Sequence, residues 1–115
     1  MRRGEIVAVN LDPVRGSEAG KTRPAVIVSN DAANAAAVRL GRGVITVVPV
    51  TSSISRVHPF QVLLPADQTG LRHDSKAQAE QIRSVAVQRV GRRIGELSPS
   101  LSDELDQALR VHLSL

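Results

Sequence analysis

Cysteine, tryptophan and tyrosine are missing from this chain, and Phe60 is the one aromatic residue among 115. Without cysteine there is no disulfide, no thiol nucleophile and no thiolate metal site. Three scattered histidines, His58, His73 and His112, lack the spacing that sets two ligands on one helical face. A protein-bound catalytic metal is therefore not expected, and no cofactor is. No apolar run approaches the length of a membrane span. The run that follows Met1-Arg2-Arg3-Gly4-Glu5 is too brief for a secretion signal. The expectation is one soluble, cytoplasmic domain over residues 1–115, long enough to build a core without staples. The scarcity of rings also bears on nucleic acids, because single-strand grooves commonly stack bases on aromatic side chains. Here arginine planes and hydrogen bonds would have to replace them.

Cations are plentiful. Residues 1–93 carry 14 Arg/Lys against 7 Asp/Glu, whereas residues 94–115 carry one Arg against four acids. A basic body with an acidic tail suits a polyanionic partner on the body. Thirteen of the fifteen cations are Arg, whose planar fork fits phosphate and base edges.

The strongest local signal is Lys21-Thr22-Arg23-Pro24 running into Ala25-Val26-Ile27-Val28. Proline suits the first position of a strand, and the Val-Ile-Val run reads as a strand buried on both faces. Arg23 would then stand at a strand mouth. A second mouth lies at Val47-Val48-Pro49-Val50-Thr51-Ser52-Ser53, where a β run empties into a hydroxyl-rich loop. We expect these mouths side by side, bringing Arg23 and Thr51 to one phosphate.

Glu5–Leu11 reads as the first strand, followed by a long, mobile connection over 14–22. Asp31–Val38 reads as a short Ala-rich helix capped by Asn30 or Asp31. Val44–Val48 and Phe60–Leu64 read as strands, and Asp67–Gly70 as a turn. Ser75–Arg83 is ambiguous, its residue types favouring helix and its position favouring sheet. Ser84–Val87 looks extended, Arg89–Arg93 a basic turn around Gly91, and Ile94–Leu97 a brief strand. The last segment is the clearest helix. Its cap is Ser100, with Ser98 as the alternative beside Pro99, and its packed face includes Leu101, Leu105, Ala108, Leu109, Val111 and Leu113. Many short strands and one terminal helix imply a small, curled, mainly antiparallel sheet.

Taken in order, Arg3-Gly4-Glu5-Ile6-Val7, Leu11-Asp12-Pro13, Gly16-Ser17-Glu18, Arg23-Pro24-Ala25-Val26, Val48-Pro49-Val50-Thr51-Ser52, Pro59-Phe60-Gln61-Val62 and Glu80-Gln81-Ile82-Arg83-Ser84-Val85 resemble the MazF/PemK family of toxin–antitoxin endoribonucleases across nearly the whole chain. The resemblance implies a small SH3-like, mostly antiparallel β-barrel with a short helix and a C-terminal helix. It implies a homodimer that cuts single-stranded RNA, mRNA included, at short sequences without metal, inhibiting translation and growth. A cognate antitoxin with an acidic C-terminal tail would mask the RNA groove. The family's catalytic arginine and threonine carry onto Arg23 and Thr51, its loop glutamate onto Glu18, and the acid of one subfamily's strand pair onto Glu80. That subfamily's arginine two residues earlier is replaced here by Gln78, and the aromatic that often follows Glu-Ile is Val7.

Metal-free cleavage means driving a 2′-hydroxyl into the adjacent phosphorus, which leaves a 2′,3′-cyclic phosphate and a 5′-hydroxyl. Arg23 suits the non-bridging oxygens as a permanent bidentate cation. Thr51 can donate to a phosphate oxygen or orient the attacking hydroxyl. Glu80 is a candidate base or base-reading acceptor. Glu18, Lys21, Ser52, Ser53, Arg56, Gln78, Gln81 and Arg83 are candidate RNA contacts. His73 beside Asp74 is the one tempting histidine for acid–base work, yet surface roles are expected for both His58 and His73. Two other functions fit the same fold, a non-catalytic toxin that poisons a topoisomerase and a plain nucleic-acid-binding module.

Overall fold

Side chains alternate across a strand, so a strand apolar at every position must be covered on both faces. The computed structural model, which describes residues 1–12, 15–18 and 21–115, shows how. Its strands are β1 (Glu5–Asn10), β2 (Thr22–Ile27), β3 (Val44–Thr51), β4 (Gln61–Leu64), β5 (Ser75–Gln78), β6 (Arg83–Ala86) and β7 (Val90–Glu96). The helices are α1 (Asp31–Leu40), α2 (Ala66–Thr69) and α3 (Pro99–Leu113), with 3-10 turns at Ala79–Gln81 and Val87–Arg89. The strands join in the order β4-β5-β3-β2-β1-β7, with β6 also on β3, and the pairings are antiparallel. No ladder joins β4 to β7 among the described residues. The expected barrel is thus a curled sheet that stays open.

Two cores follow from the alternation. On one face Ile6, Val26, Val48 and Val50 pack with Leu101, Leu105, Ala108 and Leu109 of α3. On the other Val7, Val9, Ala25, Ile27 and Val47 pack with Ala37 of α1. Burying an aliphatic side chain contributes about 1.5–3 kcal/mol, so β2 and β3, apolar on both sides, are the spine.

Two prolines survive inside that spine because of where their nitrogens point. The Val28 N–H donates to the Thr46 carbonyl at 2.9 Å, which makes Val26/Val48 a hydrogen-bonded pair and Ala25/Pro49 a non-bonded one. Pro49 therefore turns from β2 toward the stretch where β3 passes from β6, paired up to Val47, to β5, paired from Val50. Likewise the Leu11 N–H donates to the Lys21 carbonyl at 2.9 Å. Pro24, opposite Ala8, thus faces past the end of the β2–β3 ladder. Neither missing donor costs a ladder bond.

Several elements differ from expectation. Ser75–Arg83 is both things in part, β5 followed by a 3-10 turn and the start of β6. Asp67–Gly70 belongs to a single helical turn closed by Gly70 at φ 84°. Arg89–Arg93 is mostly strand, because β1 supplies the pairing that local composition cannot reveal. Gly91 lets that approach happen, since a Cβ there would lie 3.3 Å from the Ala8 carbonyl oxygen. The arginine side chains point outward, and Arg93 meets Glu5 at 2.6 Å. Burial alone would raise the Glu5 carboxyl, but the Arg2 N–H, Arg93 and the N-terminal ammonium outweigh it and hold it below the usual carboxylate range. In α3 the cap is Ser98, whose hydroxyl accepts from the Leu101 N–H at 3.2 Å, not Ser100. Pro99 at the first helical position fixes that choice. Val111 and Leu113 are exposed, because the helix outruns the sheet it packs on. Pro13, Val14, Ala19 and Gly20, within or beside the expected mobile connection, lie outside the described residues.

Candidate active site

The ends of β2 and β3 open onto one cavity of about 310 Å³, lined by Arg23, Pro24, Val50, Thr51, Ser52, Leu71, Arg72, His73 and Ser75. The antiparallel pairing of β2 with β3 produces this. With Ala25 opposite Pro49, the residues preceding Ala25 and following Pro49 must leave the ladder at the same edge. Arg23 is half-buried at the start of β2 and Thr51 half-buried at the end of β3. Lys21, two residues before Arg23, has a φ of 63°, an unusual conformation for a side chain with a Cβ. Its N–H donates to Asp12 Oδ1 at 2.8 Å. Thr51 is anchored too, because its Oγ1 accepts the Ser53 N–H at 3.2 Å.

The remaining sequence candidates divide. Ser52 lines the cavity with Thr51, and Ser53 adjoins it through the Thr51 contact. Lys76 opposite Thr51 in the ladder donates its Nζ to the Arg56 carbonyl at 2.6 Å, tying Arg56 to the same end of β5. Glu18 and Lys21 are exposed on the segment leading to Arg23. Gln81 Nε2 donates to the Ser17 carbonyl at 3.0 Å, and Arg83 Nη1 donates to the Leu11 carbonyl at 3.2 Å. Both brace that approach.

Glu80 is placed differently from expectation. It does not line the cavity, its Oε2 accepts from Gln61 Nε2 at 2.7 Å, and its Oε1 is buried. Among the described residues that oxygen has no hydrogen-bond partner, and neither has the buried Gln78 Oε1. The strand–turn–strand path over Ser75–Ala86 explains the placement, since the 3-10 turn carries Glu80 onto Gln61 rather than along β5.

Sequence reasoning missed Arg72 and Ser75 and gave His73 only a surface role. His73 is exposed, yet it stands on the cavity wall with Arg23 and Thr51. The signal available was the basic pair Arg72-His73 after a glycine. A larger cavity of about 590 Å³ lies between α3 and the sheet, lined in part by Arg3, Ser29, Asp106 and Leu109. It contains none of the candidate residues, and its Arg3 and Asp106 are spent on each other at 2.6 Å. Among the described residues no group of three or more His, Asp or Glu is placed to hold a metal. None of their helices is long and apolar enough to cross a membrane.

Residues 2–113 match the family model described as a PemK-like, MazF-like toxin of type II toxin–antitoxin systems. The chain is 66% identical over 115 residues to Endoribonuclease MazF9 of Mycobacterium tuberculosis (strain ATCC 25618 / H37Rv), covering 100% of this chain and 98% of that protein. Among solved structures, MazF (Form-I) of Deinococcus radiodurans superposes with a TM-score of 0.83 at 28% identity, covering 100% of this chain and 97% of the other. A MazE–MazF structure (Form-II) from the same organism gives a TM-score of 0.75 at 26% identity, covering 100% and 96%.

Proposed function

This chain belongs to the PemK-like, MazF-like toxins of type II toxin–antitoxin systems, and from that premise we propose that Arg23 and Thr51 are the pair with which it cuts RNA. It is an endoribonuclease of that class. The observation that carries the assignment is the shared cavity, in which the two strand ends converge.

The substrate is single-stranded RNA, and the reaction is attack of a 2′-hydroxyl on its own phosphate. As the phosphorus gains a fifth oxygen, negative charge grows on the non-bridging oxygens. The Arg23 guanidinium, planar and always charged, binds them in a fork. A half-buried wall strengthens that contact relative to open water. Thr51 receives the Ser53 N–H and keeps its own hydroxyl hydrogen to donate to a phosphate oxygen. Arg72 adds a second cation for the flanking phosphate. Glu18, Lys21, Ser52, Ser53, Arg56, Gln81 and Arg83 line the RNA path, with the two braces that hold the Ser17 and Leu11 carbonyls setting its shape. Glu80 and Gln78 act from behind, Glu80 holding Gln61 at the start of β4.

No metal enters this scheme, because every charge it needs is on the chain. The protein works as a homodimer, and a cognate antitoxin occupies the groove through an acidic tail, the counterpart of the basic body. The MazE–MazF relative supports such a partner. Incubating the purified protein with a long RNA in EDTA tests the reading. Discrete fragments bearing 5′-hydroxyl ends are expected. Intact RNA with a shifted band would make the protein a binding module, and intact RNA with blocked DNA supercoiling would make it a topoisomerase poison.

A further inference from the structure

Attack by a 2′-hydroxyl releases a proton, and the reaction proposed above needs a group to take it. Among the described residues no carboxylate lines the cavity; its ionisable side chains are Arg23, Arg72 and His73. A guanidinium holds its proton throughout the working range. Thr51 is neutral and already accepts the Ser53 N–H. The Ser75 hydroxyl is spent on the His73 carbonyl at 2.8 Å. Glu80 is bound to Gln61 away from the cavity. Imidazole alone among these groups both gains and loses a proton between pH 5 and 8.

The wall that carries His73 is held from both sides. The Leu71 N–H donates to Thr69 Oγ1 at 3.3 Å, and the Ala66 N–H donates to Asp74 Oδ1 at 2.8 Å. With the Ser75 bond, three contacts fix a five-residue arch between α2 and β5. A general base must be held at hydrogen-bond reach of its proton.

We propose that His73 is the general base of this cavity, a reading that rests on the RNA-cutting function proposed above. Its neutral imidazole takes the 2′-hydroxyl proton as the 2′-oxygen bonds to phosphorus and the bond from phosphorus to the 5′-oxygen breaks. The departing oxygen takes a proton from water, and the imidazolium returns its proton to the hydroxide so formed. Among the described residues the other charged side chains of the cavity are Arg23 from β2 and Arg72 beside His73, and Asp74 on its other flank accepts the Ala66 N–H. Lys76 of β5 is directed to the Arg56 carbonyl, and Val50 and Thr51 of β3 and Ser52 just after it carry no charge.

The test is single-turnover cleavage in EDTA at fixed ionic strength from pH 5 to 9. For the wild-type protein the rate rises about tenfold per pH unit on the acid side and then levels off. His73→Gln lowers the rate by ~10²–10⁴ with KM nearly unchanged, and the acid limb disappears. His73→Gly regains activity when free imidazole is added, which a merely structural role would not produce. Thermal melts of both variants establish that they fold. If His73→Gln cuts at the wild-type rate with the same acid limb, while Arg23→Ala does not cut, this assignment is overturned and the wider reading stands. If the wild-type protein leaves RNA intact, or Arg23→Ala cuts normally, the wider reading falls and takes this one with it.

Discussion

At the cavity, Thr51 Oγ1 accepts the Ser53 N–H at 3.2 Å, the bond of an ordinary hydroxyl turn, and what sets it apart is its place in one cavity with Arg23. The Ser53 bond occupies one lone pair and leaves the hydroxyl hydrogen available to donate, so the hydroxyl should matter more than the methyl. Thr51→Ser is expected to keep most of the cleavage rate, and Thr51→Val to lose ~10²–10³, as for a deleted oxyanion-hole donor. Single-turnover rates with a folded control check this, and equal rates in Thr51→Val and wild type would contradict it. The two residues proposed for the site stood out in the sequence by different routes. Arg23 stood out on physics alone, a cation against a proline and a buried run, whereas Thr51 rested on the family pattern. In the sequence Asp74 made His73 the tempting histidine, and a surface role was expected because no spacing pairs it with His58. In the fold that carboxylate serves the Ala66 N–H instead, a choice no local spacing encodes.

Among the elements, the cavity wall depends on a close approach between α2 and β7. A Cβ on Gly95 would sit 1.7 Å from the Thr69 carbonyl oxygen, and one on Gly70, already at φ 84°, 2.9 Å from the Ile94 carbonyl oxygen. The opposing atoms are backbone, so nothing flexible can give way. Gly95→Ala is expected to destabilise by about 1–3 kcal/mol, the range of overpacked cores, and to lower cleavage by moving the Leu71–Ser75 arch. Denaturant melts check the first part, and an unchanged midpoint would contradict it. The strands that depend on continuous apolar runs, β2 and β3, were readable in the sequence. β7 was readable only at its end, where Ile94–Leu97 reads as a brief strand, because Arg-Val-Gly-Arg-Arg offers no apolar alternation and becomes strand only by pairing with β1. Ser75–Arg83 was ambiguous for a real reason, since it changes conformation twice.

For the whole molecule, charge and topology divide the labour. The cavity lies at the Thr51 end of β3, while α1 joins the strand at its Val44 end, about seven residues or ~24 Å away. Cations at the two ends should therefore differ in their effect on RNA. Arg72→Gln is expected to weaken binding and reduce the slope of log affinity against log salt by about 0.7, one single-strand phosphate contact. Arg39→Gln, exposed in the last turn of α1, should change the slope little. Binding titrations at several salt concentrations check the pair, and equal slopes in the two variants would contradict the placement of the RNA. Fold class was readable from many short strands and a terminal helix. That the sheet stays open was not, because closure depends on how β4 and β7 meet in space. The most direct test of the account is cleavage of one RNA in EDTA by Arg23→Ala and by Thr51→Ala, each verified as folded. Each should lose ~10²–10³ or more in rate while still binding the RNA; wild-type cutting by either variant would contradict it.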